Sequence, residues 1–417
     1  MSDLSKPTFR PGLMLLAAPL LMLAAPLSAL QPAAKAPPAP EAVAGHAPTG
    51  PAHDPYNLRR FGIAEPKAKA PGAIRLATYN VANLFDDKDD PNLSGEDDDL
   101  PSRKPQEELD ALALTIKRLD ADVLCLQEIE SYDTLIWFRD TYLKGLGYEH
   151  VVSIDAGDSR GIENAVLSRV PIVDKEVWVH RALKGAHPAT LRNRPNEFAG
   201  RPLTFHRTPL RVDLEAPAVE GQPAFTFSVF VVHNKSGRDF NYWREAEAQG
   251  LADLLAEFRK ANPDAALAVL GDFNAEPDAK SVQTLTGAGL EDLFADVHTK
   301  GQKLAPEFVT HESGRAIDQI LLSPALKARV VPESRFVLGT PARPEGVDYR
   351  RVPLPPGAPS DHYPVAVDLK GPAFGASGNA PEKDAKADRK SPTEREDSVK
   401  KGGEAVGNSK ESPKSGD

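Results

Sequence analysis

Short apolar runs of strand length recur along the chain, and nearly every one is bordered by a side chain able to do chemistry. The runs cover residues 74–81, 123–129, 225–232, 266–270, 317–322 and 364–369. Runs this short are strands rather than helices. Between them lie segments of helical period. Leu109, Leu112, Ile116 and Leu119 share one face, as do Leu251, Leu254, Leu255 and Phe258. This pattern predicts a layered α/β chain.

The order of elements narrows the fold. Strand 74–81, a helix that Ser102 can cap, and strand 123–129 predict a parallel βαβ opening. Residues 207–214 and 225–232 alternate around a Pro/Gly-rich turn and predict an antiparallel pair. Helices are expected over 135–146 and 242–261, and a further strand over 164–168. Mixed pairing with interspersed helices predicts stacked sheets covered by helices, an α/β (α+β) fold without internal repeats.

The two ends differ from this core. Lys6 and Arg10 precede an apolar stretch at 13–27, with Ser28 and Ala29 after it, so residues 1–30 read as a secretory signal peptide. A secreted or periplasmic location follows, with a retained N-terminal membrane anchor as the second reading. Residues 31–71 read as an Ala/Pro-rich linker, 72–370 as the folded domain and 371–417 as a disordered charged tail. The net charge of −10 argues against a broad basic face built to grip duplex DNA and leaves a local basic groove open. A single cysteine, Cys125, excludes an internal disulfide and a cysteine-based zinc site; within its apolar run it reads as a small buried hydrophobe. Residues 86–99 hold eight carboxylates, a solvated turn whose spacing misses the Ca²⁺-loop pattern.

The informative residues lie at strand ends. Asn80 closes Thr78-Tyr79-Asn80, and Glu128 follows Leu126-Gln127. His233-Asn234-Lys235-Ser236, Gly271-Asp272-Phe273-Asn274, Ile317-Asp318-Gln319-Ile320 and Ser360-Asp361-His362 complete the set. In layered α/β proteins such side chains converge on a ligand-binding rim. Asn80, Glu128 and Asp361 offer hard oxygen donors suited to Mg²⁺ or Mn²⁺. His233 and His362 can donate to a phosphate oxygen, Asp272 can orient or deprotonate water, Asp318 can fix an imidazole tautomer, and Asn274 can donate to an oxyanion. Each is unremarkable alone; a lone strand-end Asn is usually a turn residue and Lys235 alone a solvated lysine.

As a set these motifs resemble the endonuclease/exonuclease/phosphatase superfamily, which includes deoxyribonucleases, apurinic endonucleases, neutral sphingomyelinases and inositol polyphosphate phosphatases. The resemblance spans residues 74–369. It implies a four-layer sandwich of two packed β-sheets flanked by helices. It implies Glu128 as principal metal ligand with Asn80 beside it and Asp361 near the metal. It implies Asp272 on the water, Asn274 as the transition-state amide, and His362 on phosphate, paired with Asp318. His233 matches the deoxyribonuclease-like and sphingomyelinase-like branches. Lys235 and Arg160 are the candidate substrate contacts, with plain surface charge as the alternative for both. Arg192, Arg194 and Arg201 fall in a region, 182–201, that aligns to no known substrate loop.

The expected activity is that of a Mg²⁺- or Mn²⁺-dependent phosphodiesterase, a nuclease first, acting as a monomer on a nucleic-acid phosphodiester with no stable protein partner. A sphingomyelinase-like or inositol-phosphate-type phosphohydrolase is the same-chemistry alternative. A non-catalytic binding module is the alternative of another class, and the intact set of chemical residues speaks against it.

Overall fold

A computed structural model describes residues 59–88, 103–298, 301–348 and 351–374. The first half of the domain runs β1 (Ala73–Leu84), α1 (Gln106–Leu119), β2 (Val123–Ile129), α2 (Tyr132–Tyr142), β3 (His150–Ser153), β4 (Glu163–Ser168) and β5 (Ile172–Val177). Four short strands follow: β6 (Ala182–Ala186), β7 (Thr190–Leu191), β8 (Arg194–Pro195) and β9 (Pro202–Thr204). The second half runs β10 (Leu210–Ala216), β11 (Phe225–His233), α3 (Asn241–Ala261), β12 (Leu267–Asp272), α4 (Lys280–Gly287), β13 (Glu291–Asp292), β14 (Asp318–Leu322), α5 (Pro324–Lys327), β15 (Phe336–Val337) and β16 (Val365–Lys370).

Two six-stranded mixed sheets form the centre, ordered β15-β16-β1-β2-β4-β3 and β13-β14-β12-β11-β10-β5. The predicted βαβ opening is present, with β1 and β2 parallel, and β10 and β11 pair antiparallel as expected. Strand alternation builds the layers. Val123 and Cys125 face the second sheet, while Leu124 and Leu126 face the helices. Likewise Val229 and Val231 join the inter-sheet core, and Phe230 and Val232 pack beneath α3. One core lies between the sheets, a second between the first sheet and α1 with α2, and a third between the second sheet and α3 with α4. The result is the four-layer α/β sandwich.

Helix α1 shows why the pattern is readable. Leu109, Leu112, Ile116 and Leu119 are buried on one stripe, and the helix stops at Asp120, which turns left-handed at φ 49°. Its N-cap position is held by Pro105 without a side-chain cap, while Ser102, the expected cap, lies outside the described residues. Helix α2 starts earlier than expected because Ser131 caps it, accepting from the Thr134 N–H.

Residues 59–71 run along the domain although their composition reads as linker. Ile63 bridges Leu338, Phe61 stacks near Tyr363 at 5.9 Å, and Lys69 pairs with Asp122 at 2.9 Å. The two apolar residues supply the packing that the Ala/Pro-rich surroundings obscure. One expectation about location is corrected: among the described residues no helix is long and apolar enough to cross a membrane, so the membrane-anchored reading is not retained. The segments read as signal peptide (1–30), most of the linker (31–58), most of the acidic loop (89–99) and the tail from 375 onward lie outside the described residues.

Candidate active site

The register sets the chemical residues side by side. In the second sheet, His233 on β11 is directly opposite Asp272 on β12, which is opposite Asp318 on β14. In the first sheet, Asn80 pairs with Gln127, and the next residue, Glu128, sits in an irregularity of the ladder with φ +66°. A carboxylate at a positive φ is uncommon, and it turns Glu128 out of the pleat toward the sheet end. His362 precedes β16, and Ser360 ties that turn to β1: its hydroxyl donates to the Asn80 carbonyl at 2.8 Å and accepts from the His362 N–H at 3.0 Å.

His362 and Asp318 join the two sheets. Nδ1 of His362 is 2.9 and 3.0 Å from the two Asp318 carboxylate oxygens, and both side chains are buried. Burial opposes a charged imidazole here. The charge and hydrogen bond of Asp318, helped by Asp272 and Asp361, outweigh it and lift His362 to about 10. The ring is therefore an imidazolium whose Nε2 is left for a ligand; that atom is 4.0 Å from the Asp272 carboxylate.

Asn80, Glu128, Asp272, Asn274 and His233 form the other half. The Asn80 amide nitrogen donates to Glu128 at 3.3 Å and to Asp272 at 3.2 Å, while its oxygen accepts from the Ala82 N–H at 3.0 Å. Asn80 thus clamps two carboxylates through its nitrogen, while its oxygen, the atom expected to face a cation, accepts a backbone N–H within the β1 bend. The Asn274 amide donates to Asp272 and to the Asn234 carbonyl, both at 3.0 Å, and so holds the Asp272 carboxylate. Nε2 of His233 is 3.4 Å from Asp272 and 3.7 Å from Glu128. Burial, then the charges of Arg207 and His362, hold its imidazole neutral. Burial raises Asp272 most, Asp318 and Glu128 add to this, and His362 and the Asn274 N–H oppose it, leaving Asp272 at about 7.

Asp361 has a partner that the sequence did not reveal. Nε2 of His311 is 3.5 Å from its carboxylate, and the His311 ring meets the His362 ring edge-on at 4.5 Å. Burial works against the Asp361 charge, but His311 and His362 hold the carboxyl well below the usual carboxylate range. His311 lies in Val309-Thr310-His311-Glu312, outside any strand-end pattern, and is brought to the rim by a backbone bridge to His362 that the sequence does not reveal. Arg160 reaches the rim: its guanidinium donates to the Asn83 side chain at 2.6 Å and is 3.7 Å from Glu128. The Lys235 ammonium sits over Phe240 at 4.6 Å.

The donor set suits a hard divalent cation. Glu128, Asp272, Asp318 and Asp361 gather at one rim, with the His362 imidazolium and Arg160 as the nearby cations. Glu128 and Asp361 are the less deeply buried carboxylates of the rim, with 13% and 25% of the side chain exposed; both are sensed by the Lys104 ammonium, whose pKa burial lowers against the pull of Glu108 first and then of these two. Among the described residues, the potential ligand atoms of His311, Asp361 and His362 lie within 4.8 Å of one another, as do those of Asp272, Asp318 and His362. Glu128 belongs to neither group.

The profile of the Endonuclease/Exonuclease/phosphatase family matches residues 77–362, which takes in every rim residue named above. Among curated proteins no sequence match is found. Similar solved structures include the human Nocturnin catalytic domain with bound sulfate, at 19% identity and TM-score 0.43, covering 75% of this chain and 98% of that one. A Bacteroides thetaiotaomicron mannosyl-6-phosphatase is similar at 17% identity and TM-score 0.42, covering 71% and 99%. A Neisseria 3′ phosphatase bound to a product DNA hairpin is similar at 19% identity and TM-score 0.40, covering 71% and 99%. The rim and the family match support a metal-dependent hydrolase, and the chain belongs to the endonuclease/exonuclease/phosphatase family.

Proposed function

We propose that the protein is a Mg²⁺- or Mn²⁺-dependent phosphodiesterase acting on nucleic acid. The observation that carries this reading is the buried His362–Asp318 pair, which keeps a charged imidazole at a rim otherwise crowded with carboxylates. An imidazolium held there is a fixed donor for a non-bridging phosphate oxygen, with its other nitrogen locked by Asp318.

Glu128 and Asp361 are the residues that would hold the cation. When bound, it supplies Lewis-acid polarisation of the phosphoryl group. Asp272, at about 7, is poised to take a proton from the attacking water near neutral pH. Asn80 and Asn274 hold that carboxylate in place. Neutral His233, facing Glu128 and Asp272, donates from Nε2 and adds no charge to repel the cation. Arg160 and Lys235 border the rim as contacts for further phosphate oxygens.

Plasmid DNA and bis(p-nitrophenyl) phosphate, each assayed with Mg²⁺, with Mn²⁺ and after exhaustive dialysis against EDTA, test the reading. Cleavage of both that stops in EDTA supports it. Turnover of the small diester without cleavage of DNA would assign a small or lipid headgroup instead. Full activity in EDTA would remove the metal.

A further inference from the structure

Residues 181–207 carry six Lys or Arg against one carboxylate, Glu197, in a chain whose net charge is −10. Much of this segment is an arm of short strands, in which β6 pairs with β9 and β7 with β8. The β7–β8 hairpin turns through Arg192 at φ 47° and Asn193 at φ 62°, two successive left-handed residues that make a tight two-residue loop. An arginine at that backbone position is uncommon.

The arm is fixed to the chain that leaves the active site. Arg192 at the hairpin tip pairs with Asp239. Nδ1 of His187 meets the Tyr242 hydroxyl at 2.9 Å, and the His187 ring packs edge-on against Trp243 at 4.5 Å. Asp239 is six residues from His233, so it lies within roughly 20 Å of that residue at full extension. A strand of up to about six stacked nucleotides spans that reach.

Most cations of the arm are spent on the fold. Arg181 pairs with Glu257 at 2.8 Å, Lys184 with Asp253 at 2.9 Å and Arg207 with buried Asp158 at 3.0 Å. Arg194 and Arg201, together with Arg238 beside Asp239, are exposed and have no carboxylate partner among the described residues. Half-exposed Phe198, Phe240 and Tyr242 lie among them, with Arg201 over the Phe198 ring at 5.8 Å. Unpaired arginines interleaved with aromatic rings, on an otherwise acidic protein, suit a polyanion with flat bases.

We propose that the β7–β8 hairpin and the turn at residues 238–240 clamp the sugar–phosphate backbone of a polynucleotide away from the scissile bond, with Arg194, Arg201 and Arg238 neutralising its phosphates. The clamp rests on the nucleic-acid reading above and extends it to contacts along the strand.

The test uses the full chain and an Arg194→Gln/Arg201→Gln/Arg238→Gln variant. Binding of a fluorescein-labelled single-stranded oligonucleotide is titrated in EDTA between about 50 and 200 mM salt, where phosphate contacts dominate affinity. The variant should bind on the order of tenfold more weakly at the low-salt end, with a log–log salt slope shallower by about two. Turnover of bis(p-nitrophenyl) phosphate should be unchanged, which also reports intact folding. Equal affinity and slope in the two proteins, or no binding by the wild type, would overturn the clamp. Cleavage of the same oligonucleotide with Mg²⁺ decides the nuclease reading separately: a protein that binds through the arginines without cutting keeps the clamp and loses the nuclease.

Discussion

Asp318, on a strand of the second sheet, grips the His362 imidazole as it enters the first sheet, with both carboxylate oxygens 2.9–3.0 Å from Nδ1. The contact fixes the ring's orientation and charge, and fastens together the two sheet ends that form the rim. His362 should therefore stay charged well above the ordinary histidine range, up to about 10. Its pKa is raised on folding, so the stability it contributes is full below the unfolded value of about 6.5 and is lost as pH rises through about 10. Nitrogen chemical shifts of His362 should show no deprotonation between about pH 6 and 8.5, and Asp318→Asn should bring the titration down into that window.

Glu128→Ala should weaken Mn²⁺ binding at least about tenfold, read by calorimetry, while melting temperature is little changed. The carboxylate is partly exposed and its contacts are local, from Asn80, the Asn83 N–H and Arg160, so its loss should not open the core. Unchanged Mn²⁺ affinity would show that Glu128 does not hold the cation.

Glu247 predicts a second pH dependence, in a group other than the His362–Asp318 pair. Its carboxylate accepts the His206 and Lys235 N–H groups at 2.9 and 3.0 Å, and burial outweighs these and pushes it from 4.5 up to about 7. The folded state then holds its proton more tightly than the unfolded chain does. Stability from this group is full below 4.5 and falls as pH rises through about 7. Urea unfolding of wild type and Glu247→Gln across this range should give two curves whose difference changes in that direction. A constant difference would show that Glu247 does not titrate there.

Arg75 and Asp368 make a buried bidentate pair, with oxygens 2.7 and 3.1 Å from the guanidinium. Arg75→Met should cost about 3–5 kcal/mol in chemical denaturation, because it strands a buried carboxylate. Arg75→Met/Asp368→Leu should recover much of that loss. Both variants should turn over substrate normally per folded molecule, since the pair lies on β1 and β16 away from the rim.

Much of this molecule was legible because its strands are apolar up to the point where chemistry begins. Val123 to Leu126 is wholly apolar, so Gln127 and Glu128 after it stood out; Asp272, Asp318 and His362 stood out in the same way, as polar groups at the edges of apolar runs, although the fold buries all three. Where that contrast fails, the sequence was silent. Strand β5 exposes Val173, Asp174, Lys175 and Glu176 at a sheet edge, and so reads as loop. His311 belongs to no strand and depends on a turn that only the folded chain closes. Residue type also left roles open: Asn80 and Asn274 were found, but whether an amide offers its oxygen or its nitrogen depends on neighbours far along the chain.

The central claim is that His362 and Asp318 act as one unit on the scissile phosphate, and a double-mutant cycle on turnover at saturating Mg²⁺ tests it most directly. His362→Ala and Asp318→Asn should each lose on the order of a hundred- to a thousand-fold, the usual cost of removing an oriented electrostatic contact. The double variant should be little worse than either single one, because each alone already disables the pair. Losses that multiply as independent effects would contradict the account and separate the two residues in function despite their contact.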